Sequence, residues 1–190
     1  MRGYLLTFLI AYSRDFAMQH GTLGESFELS CPWTKVSELT KRVKQRMFDA
    51  AEQVGYEKGR VWISFRVTQI YETGAVVYIY LTIVHTGIDR TKVIDAYEYV
   101  EDAARDEAML CGGSISHHHG VGKIRKKFME RTVSPNAIQW QQALKKAIDP
   151  TNVFAINNTI SRDDRERDML REETHQKFIE KNPKAKSSEI

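Results

Sequence analysis

Three consecutive histidines, His117, His118 and His119, stand inside the stretch GGSISHHHGVGKIRKK at residues 112–127. Imidazoles titrate near neutrality and suit proton transfer, while flanking glycines let a ligand approach the backbone closely. Lys123, Arg125, Lys126, Lys127 and Arg131, opposed locally by Glu130 alone, suit a phosphate or another anion. A metal centre fits less well. In an extended segment neighbouring side chains point to opposite faces, so His117 and His119 converge and His118 does not. Cys111 is near, but no carboxylate stands at ligand spacing within the loop, and a zinc site needs three or four ligands. No metal is expected. A solvated loop followed by a solvated basic face is the plain alternative.

Tyr78 and Tyr80 form a second candidate. In VVYIYL they lie two apart and share one face of a strand. They either pack as ordinary strand aromatics or place a phenol in a cleft as an acid or base. Arg14, just behind the apolar segment YLLTFLIAY (residues 4–12), is either a surface charge or an anion clamp, since a guanidinium fork matches phosphate.

Several elements must carry these groups. Residues 4–12 predict a buried helix or strand: the run is about half a membrane span, and no A-x-A cleavage pattern follows it. Residues 23–30 read as a strand with Leu23, Phe27 and Leu29 on one parity. Thr34 is the expected N-cap of an amphipathic helix through Val36, Leu39, Val43, Met47, Ala50 and Val54, ending near Gly55. Residues 61–70 and 75–85 flank a Glu72-Thr73-Gly74 turn and predict an antiparallel hairpin. A helix from Thr91 with Val93, Ala96, Tyr97, Val100, Ala104 and Ala108 on one face should stop at Gly112-Gly113. This order, β-α-β-β-α, predicts an α+β fold of ferredoxin-like type with a helical C-terminal segment. That segment comprises a short basic helix over 123–131 and a helix from Ser134-Pro135 through Ile148. An Asp149–Asn152 turn and an apolar patch at Val153, Phe154 and Ile156 follow. Residues 1–160 read as one domain, and 161–190, with eight basic and eight acidic residues, as a charged tail, helical or disordered.

A 42% apolar content supports a real core, and a net charge of +3 gives no argument for nucleic acid. Cys31 and Cys111 are far apart with no CxxC, so neither a zinc ribbon nor a disulfide framework is indicated.

Four stretches, RDFAMQHGTLGESFELSCPW, RVTQIYETGAVVYIYL, GGSISHHHGVGKIRKKFM and AIDPTNVFAINN, together resemble the C-terminal part of the alkyldihydroxyacetonephosphate synthase family, flavoproteins of the vanillyl-alcohol-oxidase type. The resemblance covers roughly residues 4–160 and makes residues 1–160 a cap, or substrate, domain. It implies ether-lipid synthesis: the acyl chain of acyl-dihydroxyacetone phosphate is exchanged for a long-chain fatty alcohol, with FAD forming an N5 adduct without net redox. It implies that His117, His118 and His119 line the active site, that Tyr80 is the catalytic tyrosine with Tyr78 as the alternative, and that Arg14, with Lys123, binds the substrate phosphate. It further implies a peroxisomal setting, although the final Ser188-Glu189-Ile190 is not an SKL address. Peripheral membrane association and a homodimer are compatible with it. No GxGxxG run stands here, so the FAD-binding domain is expected to lie outside this chain, making it a fragment or truncated gene product. The rival readings are another FAD-linked oxidase or dehydrogenase, working by hydride transfer, and a non-catalytic fragment.

Overall fold

The computed structural model describes residues 2–156, 158 and 159. The charged tail expected at 161–190 lies outside the described residues. The chain forms two compact units, Met1–Gly113 and Ser114–Ile190.

The first unit opens with α1 (Arg2–Gln19), followed by β1 (Thr22–Pro32), α2 (Val36–Gln53), β2 (Val61–Ile70), β3 (Gly74–Val84) and α3 (Arg90–Leu110). The sheet order is β1-β3-β2, with both pairings antiparallel. The hairpin partners β2 and β3 are therefore neighbours, and β1, reached through α2, lies on the other side of β3.

Period-two alternation divides the sheet into two faces. Phe27, Leu29, Ile79, Leu81 and Ile83 lie on one and are almost fully buried, together with Leu39, Val43 and Met47 of α2 and Val93, Val100 and Ala104 of α3. Each large apolar side chain so buried contributes about 1.5–3 kcal/mol. This is the core. Leu23, expected among these strand residues, is only half-buried near the start of β1. The opposite parity carries Ser26, Glu28, Tyr78, Tyr80, Ser64 and Arg66.

Local rules explain most boundaries. The Asp89 side chain caps α3 by accepting a hydrogen bond from the Thr91 backbone N–H at 2.8 Å. The helix stops where expected: Gly112, at φ +78°, donates to the Met109 carbonyl and Gly113 to that of Ala108. Only a residue tolerant of the left-handed region closes a helix this way cheaply. Gly74 is fixed for a different reason, because a Cβ there would lie 2.3 Å from the Cys31 carbonyl oxygen.

Two expectations in this unit need correction. Thr34 is not the cap of α2. Trp33–Lys35 forms a 3-10 turn, so the α-helix starts one residue later, with Lys35 at the cap position and no side-chain cap bond. The N-terminal apolar segment is helical but not buried: Tyr4, Leu5, Leu6, Phe8, Leu9, Ile10, Tyr12 and Phe16 are each 57–78% exposed. Its apolar residues run all round the helix, and contact with β1 cannot cover every side. Among the described residues no helix is long and apolar enough to cross a membrane.

The second unit holds the histidine loop, a 3-10 helix over Lys126–Arg131, and α4 (Pro135–Ile148). The basic helix expected over 123–131 is thus shorter and of the tighter type. Phe128 and Met129 are its buried residues, and two such anchors suit a short 3-10 turn rather than a longer amphipathic stripe. The Ser134 hydroxyl accepts from the Ala137 backbone N–H at 3.2 Å, and Pro135 occupies the first turn, as expected for α4. The apolar patch at Val153, Phe154 and Ile156 is exposed, at 62%, 72% and 52%.

Candidate active site

On the non-core face of the first unit, Tyr78 and Tyr80 stand side by side with ring centroids 6.1 Å apart. The strand register gives each phenol two cross-strand neighbours. Glu28 of β1 and Arg66 of β2 are opposite Tyr78, and Ser26 and Ser64 are opposite Tyr80. Directly paired residues in an antiparallel sheet have Cβ atoms about 4.5–5.5 Å apart, so the two rows form a compact polar patch. Glu28 is fully buried, Tyr78 and Tyr80 are half-buried, and Arg66 is exposed. Burial first, then the charge of Glu28 and the neighbouring Tyr80, push the Tyr78 phenol above its ordinary value. A phenol in that state remains protonated at neutral pH and is available as a donor.

Arg14 does not join this patch. Its Nη1 donates to Glu25 Oε1 at 3.0 Å, and its Nε lies 3.6 Å from Asp15. Glu25 has the parity of Phe27, on the face of β1 opposite to Glu28. The pairing fastens α1 to β1.

Beneath the patch, on the core side, α3 carries a buried polar stripe. Arg105 is fully buried, bonded through Nη2 to Glu101, and its guanidinium carbon lies 4.9 Å from the Phe27 ring centre. Tyr97, on the same stripe, has its phenol pushed far above the ordinary range, first by burial and then by the charges of Glu101 and Glu25. Sequence reading singled out neither Glu28 nor Arg105. The only sequence signals were Glu28's parity, opposite to Phe27 and Leu29, and the i, i+4 spacing of Glu101 and Arg105.

In the second unit the three histidines are exposed and occupy a bend. Consecutive rings therefore meet. His117 Nδ1 and His118 Nδ1 are 3.2 Å apart, one donating and the other accepting, and the His118 and His119 rings meet edge to face at 4.6 Å. The expected convergence of His117 with His119 assumed an extended backbone, and the bend replaces it with His118 in the middle. The loop is braced from behind: Arg125 Nη1 donates to the Gly120 carbonyl at 2.9 Å, and the Thr159 N–H to that of Gly122 at 2.9 Å. Arg125 thus has a structural task within the basic run, while Lys123 is exposed on the following turn.

The turn after α4 is organised by Asp149. Its carboxylate accepts from the backbone N–H groups of Val153 and Phe154, each at 2.9 Å, and from Lys145. The Lys145 hydrogen bond, opposed in part by burial and reinforced by the two backbone donors, holds this carboxyl down to about 2.

This fold and its polar patch belong to a recognised class: residues 1–157 match the family of FAD linked oxidases, C-terminal domain, and the chain belongs to that family. Among curated relatives, alkyldihydroxyacetonephosphate synthase of Caenorhabditis elegans is 49% identical over 158 residues, covering 83% of this chain and 26% of that protein. The enzyme of the same name from Dictyostelium discoideum is 27% identical over 145 residues, covering 76% of this chain and 23% of that protein. The chain thus spans about a quarter of the length of these relatives. A solved structure of an alkyldihydroxyacetonephosphate synthase superposes with a TM-score of 0.53 at 20% identity, covering 81% of this chain and 23% of that one, and shows the common fold.

The family's cofactor can be tested against these residues. A dinucleotide pyrophosphate is held where a glycine-rich turn opens a helix. Here Gly112 and Gly113 close α3, and α4 opens on Ser134-Pro135 without glycine. The described residues therefore do not supply that phosphate cradle. FAD is consequently bound mainly by other parts of a family protein.

Proposed function

We propose that this chain supplies the substrate-handling and proton-transferring side of an alkyldihydroxyacetonephosphate synthase, exchanging the acyl chain of acyl-dihydroxyacetone phosphate for a long-chain fatty alcohol. The observation that carries this reading is the 49% identity over 158 residues to the Caenorhabditis elegans enzyme, a span that includes the tyrosine pair and the histidine loop. When bound, FAD supplies the covalent chemistry of the exchange at its ring nitrogen.

The chain's own residues hold and move protons. Tyr80 or Tyr78 presents a phenol from a rigid strand, the kind of support that keeps a reacting group in place. His117, His118 and His119 present imidazoles, side chains suited to passing a proton. Lys123 offers an exposed cation for the substrate phosphate. Arg14 would serve the same anion by exchanging Glu25 for it. In this reading the three strands are part of a ferredoxin-like cap sheet, the setting is peroxisomal, and the lipid substrates favour peripheral contact with a membrane.

The test is a graft. Residues 1–157 replace their counterpart in the Caenorhabditis elegans enzyme, and incorporation of labelled hexadecanol into the alkyl product is followed. Exchange without dye reduction supports the reading. Reduction of a redox dye by a 2-hydroxy acid, with no exchange, would replace it with an oxidase.

A further inference from the structure

The second unit exposes an apolar face that the proton chemistry above does not use. Trp140, Leu144 and Ile148 recur every four residues of α4 and so stand in one row. Each is between 60% and 78% exposed, and no residue of the helix is buried. The half-covered residues of α4 are Ala137, Ile138 and Lys145, so the helix is covered on a side other than its most apolar one. The face continues past the helix, because Lys145 Nζ donates to the Phe154 carbonyl and keeps exposed Val153 and Phe154 beside the last turn. Single exposed apolar side chains are ordinary, but a contiguous set marks an interaction surface.

The charge around this face selects its occupant. Residues 114–148 hold seven Lys or Arg against one acid, Glu130, a net charge of +6 in a chain whose total is +3. Within α4 there is no acid, and Gln139, Gln142 and Lys146 lie on the side away from Leu144. A cationic flank beside a face of Trp and Leu is the composition of a helix that lies in a membrane interface. With 14 residues α4 is about 21 Å long, too short to span a bilayer and long enough to lie along one. α1 exposes apolar residues too, but residues 3–13 carry no charge, so nothing there selects an anionic surface.

We propose that α4, with the Val153-Phe154 turn, is the surface by which this chain lies on an anionic lipid bilayer. Trp140, Leu144 and Ile148 enter the headgroup boundary, and the surrounding cations meet the lipid phosphates and carboxylates. The inference deepens the proposed function and rests on it for its purpose, while the physical claim about α4 stands apart from catalysis.

The experiment floats the whole chain with phosphatidylcholine vesicles, with and without one-third phosphatidylserine. Binding should require phosphatidylserine and fall steeply when salt is raised to about 1 M, where the screening length shrinks to about 3 Å. Lys146→Gln should weaken binding about fivefold, and Trp140→Ala/Leu144→Ala about tenfold or more, with circular dichroism unchanged. No binding to either vesicle, or undiminished binding by the folded double variant, overturns the proposal. If the double variant does not fold, Trp140 in a Trp33→Phe/Trp62→Phe chain decides: brominated lipid should quench it, and absence of quenching overturns the proposal. In the graft, Leu144→Cys should react with a maleimide in free solution and be shielded by the phosphatidylserine vesicles. Shielding without vesicles would assign the face to a protein surface, a second copy or the rest of the graft, and would overturn the proposal. An inactive graft whose chain still binds these vesicles would count against the proposed function alone. An active graft without vesicle binding would remove this inference alone.

Discussion

Replacing Arg105 by alanine should be among the most damaging single changes in the first unit. The Arg105 side chain is 0% exposed and that of Glu101 10%. Removing one partner of a buried pair leaves a stranded charge and typically costs about 3–5 kcal/mol. Losing the guanidinium over Phe27 adds about 0.5–2 kcal/mol. Relaxation around Glu101 recovers part of this, so the expected loss is about 4 kcal/mol. The pair itself is not a strong net stabiliser, because Arg105 Nε and Nη1 find no hydrogen-bond partner among the described residues. Each unmet buried donor costs about 1–3 kcal/mol. The double variant Glu101→Leu/Arg105→Met removes both charges and both unmet donors, and should cost less than about 1 kcal/mol or stabilise outright. Urea denaturation of the whole chain at neutral pH, followed by far-ultraviolet circular dichroism, measures both variants against the parent. A cost under about 1 kcal/mol for Arg105→Ala, or a double variant that loses as much as the single one, would show that the buried pair does not behave this way.

Two other outcomes follow from the second unit. Because the Asp149 carboxyl is held down to about 2 from an ordinary 3.8, its contribution to stability is complete above pH 4 and lost as the pH falls from there towards 2. Trp140 fluorescence during thermal melts should therefore show a falling midpoint across that window in the parent, and a flatter profile in Asp149→Asn. Ser134→Ala removes the side-chain cap of α4 and should cost about 1 kcal/mol, read as earlier loss of the same Trp140 signal in urea.

Where a local rule governed, the sequence was readable. The periodic apolar residues of α2 and α3, the β2–β3 hairpin around Gly74, the Gly112-Gly113 stop and the Ser134-Pro135 start all depend on neighbours within a few residues. Features that depend on long-range placement were not readable. The same apolar string from Tyr4 to Tyr12 is compatible with a buried or an exposed helix, and nothing in it reports the coverage it receives. Glu28 looks like any polar residue of an alternating strand until the β1–β3 register sets it against Tyr78. Arg14 was legible as a candidate clamp, but its ion pair with Glu25 depends on how α1 lies along β1. The histidine loop stood out by composition, while its bend, which brings His118 between its neighbours, depends on braces from Arg125 and Thr159.

In the proposed function, residues of this chain handle the protons of an ether-forming exchange. The most direct measurement compares labelled hexadecanol incorporation by the grafted enzyme with that of the same graft carrying His117→Ala, His118→Ala and His119→Ala together. The graft should exchange alcohol robustly, and the triple variant should lose about 100-fold or more, the scale of general acid–base catalysis. FAD content and folding should be unchanged. A folded, flavin-loaded triple variant that exchanges alcohol as fast as its parent graft would contradict that function.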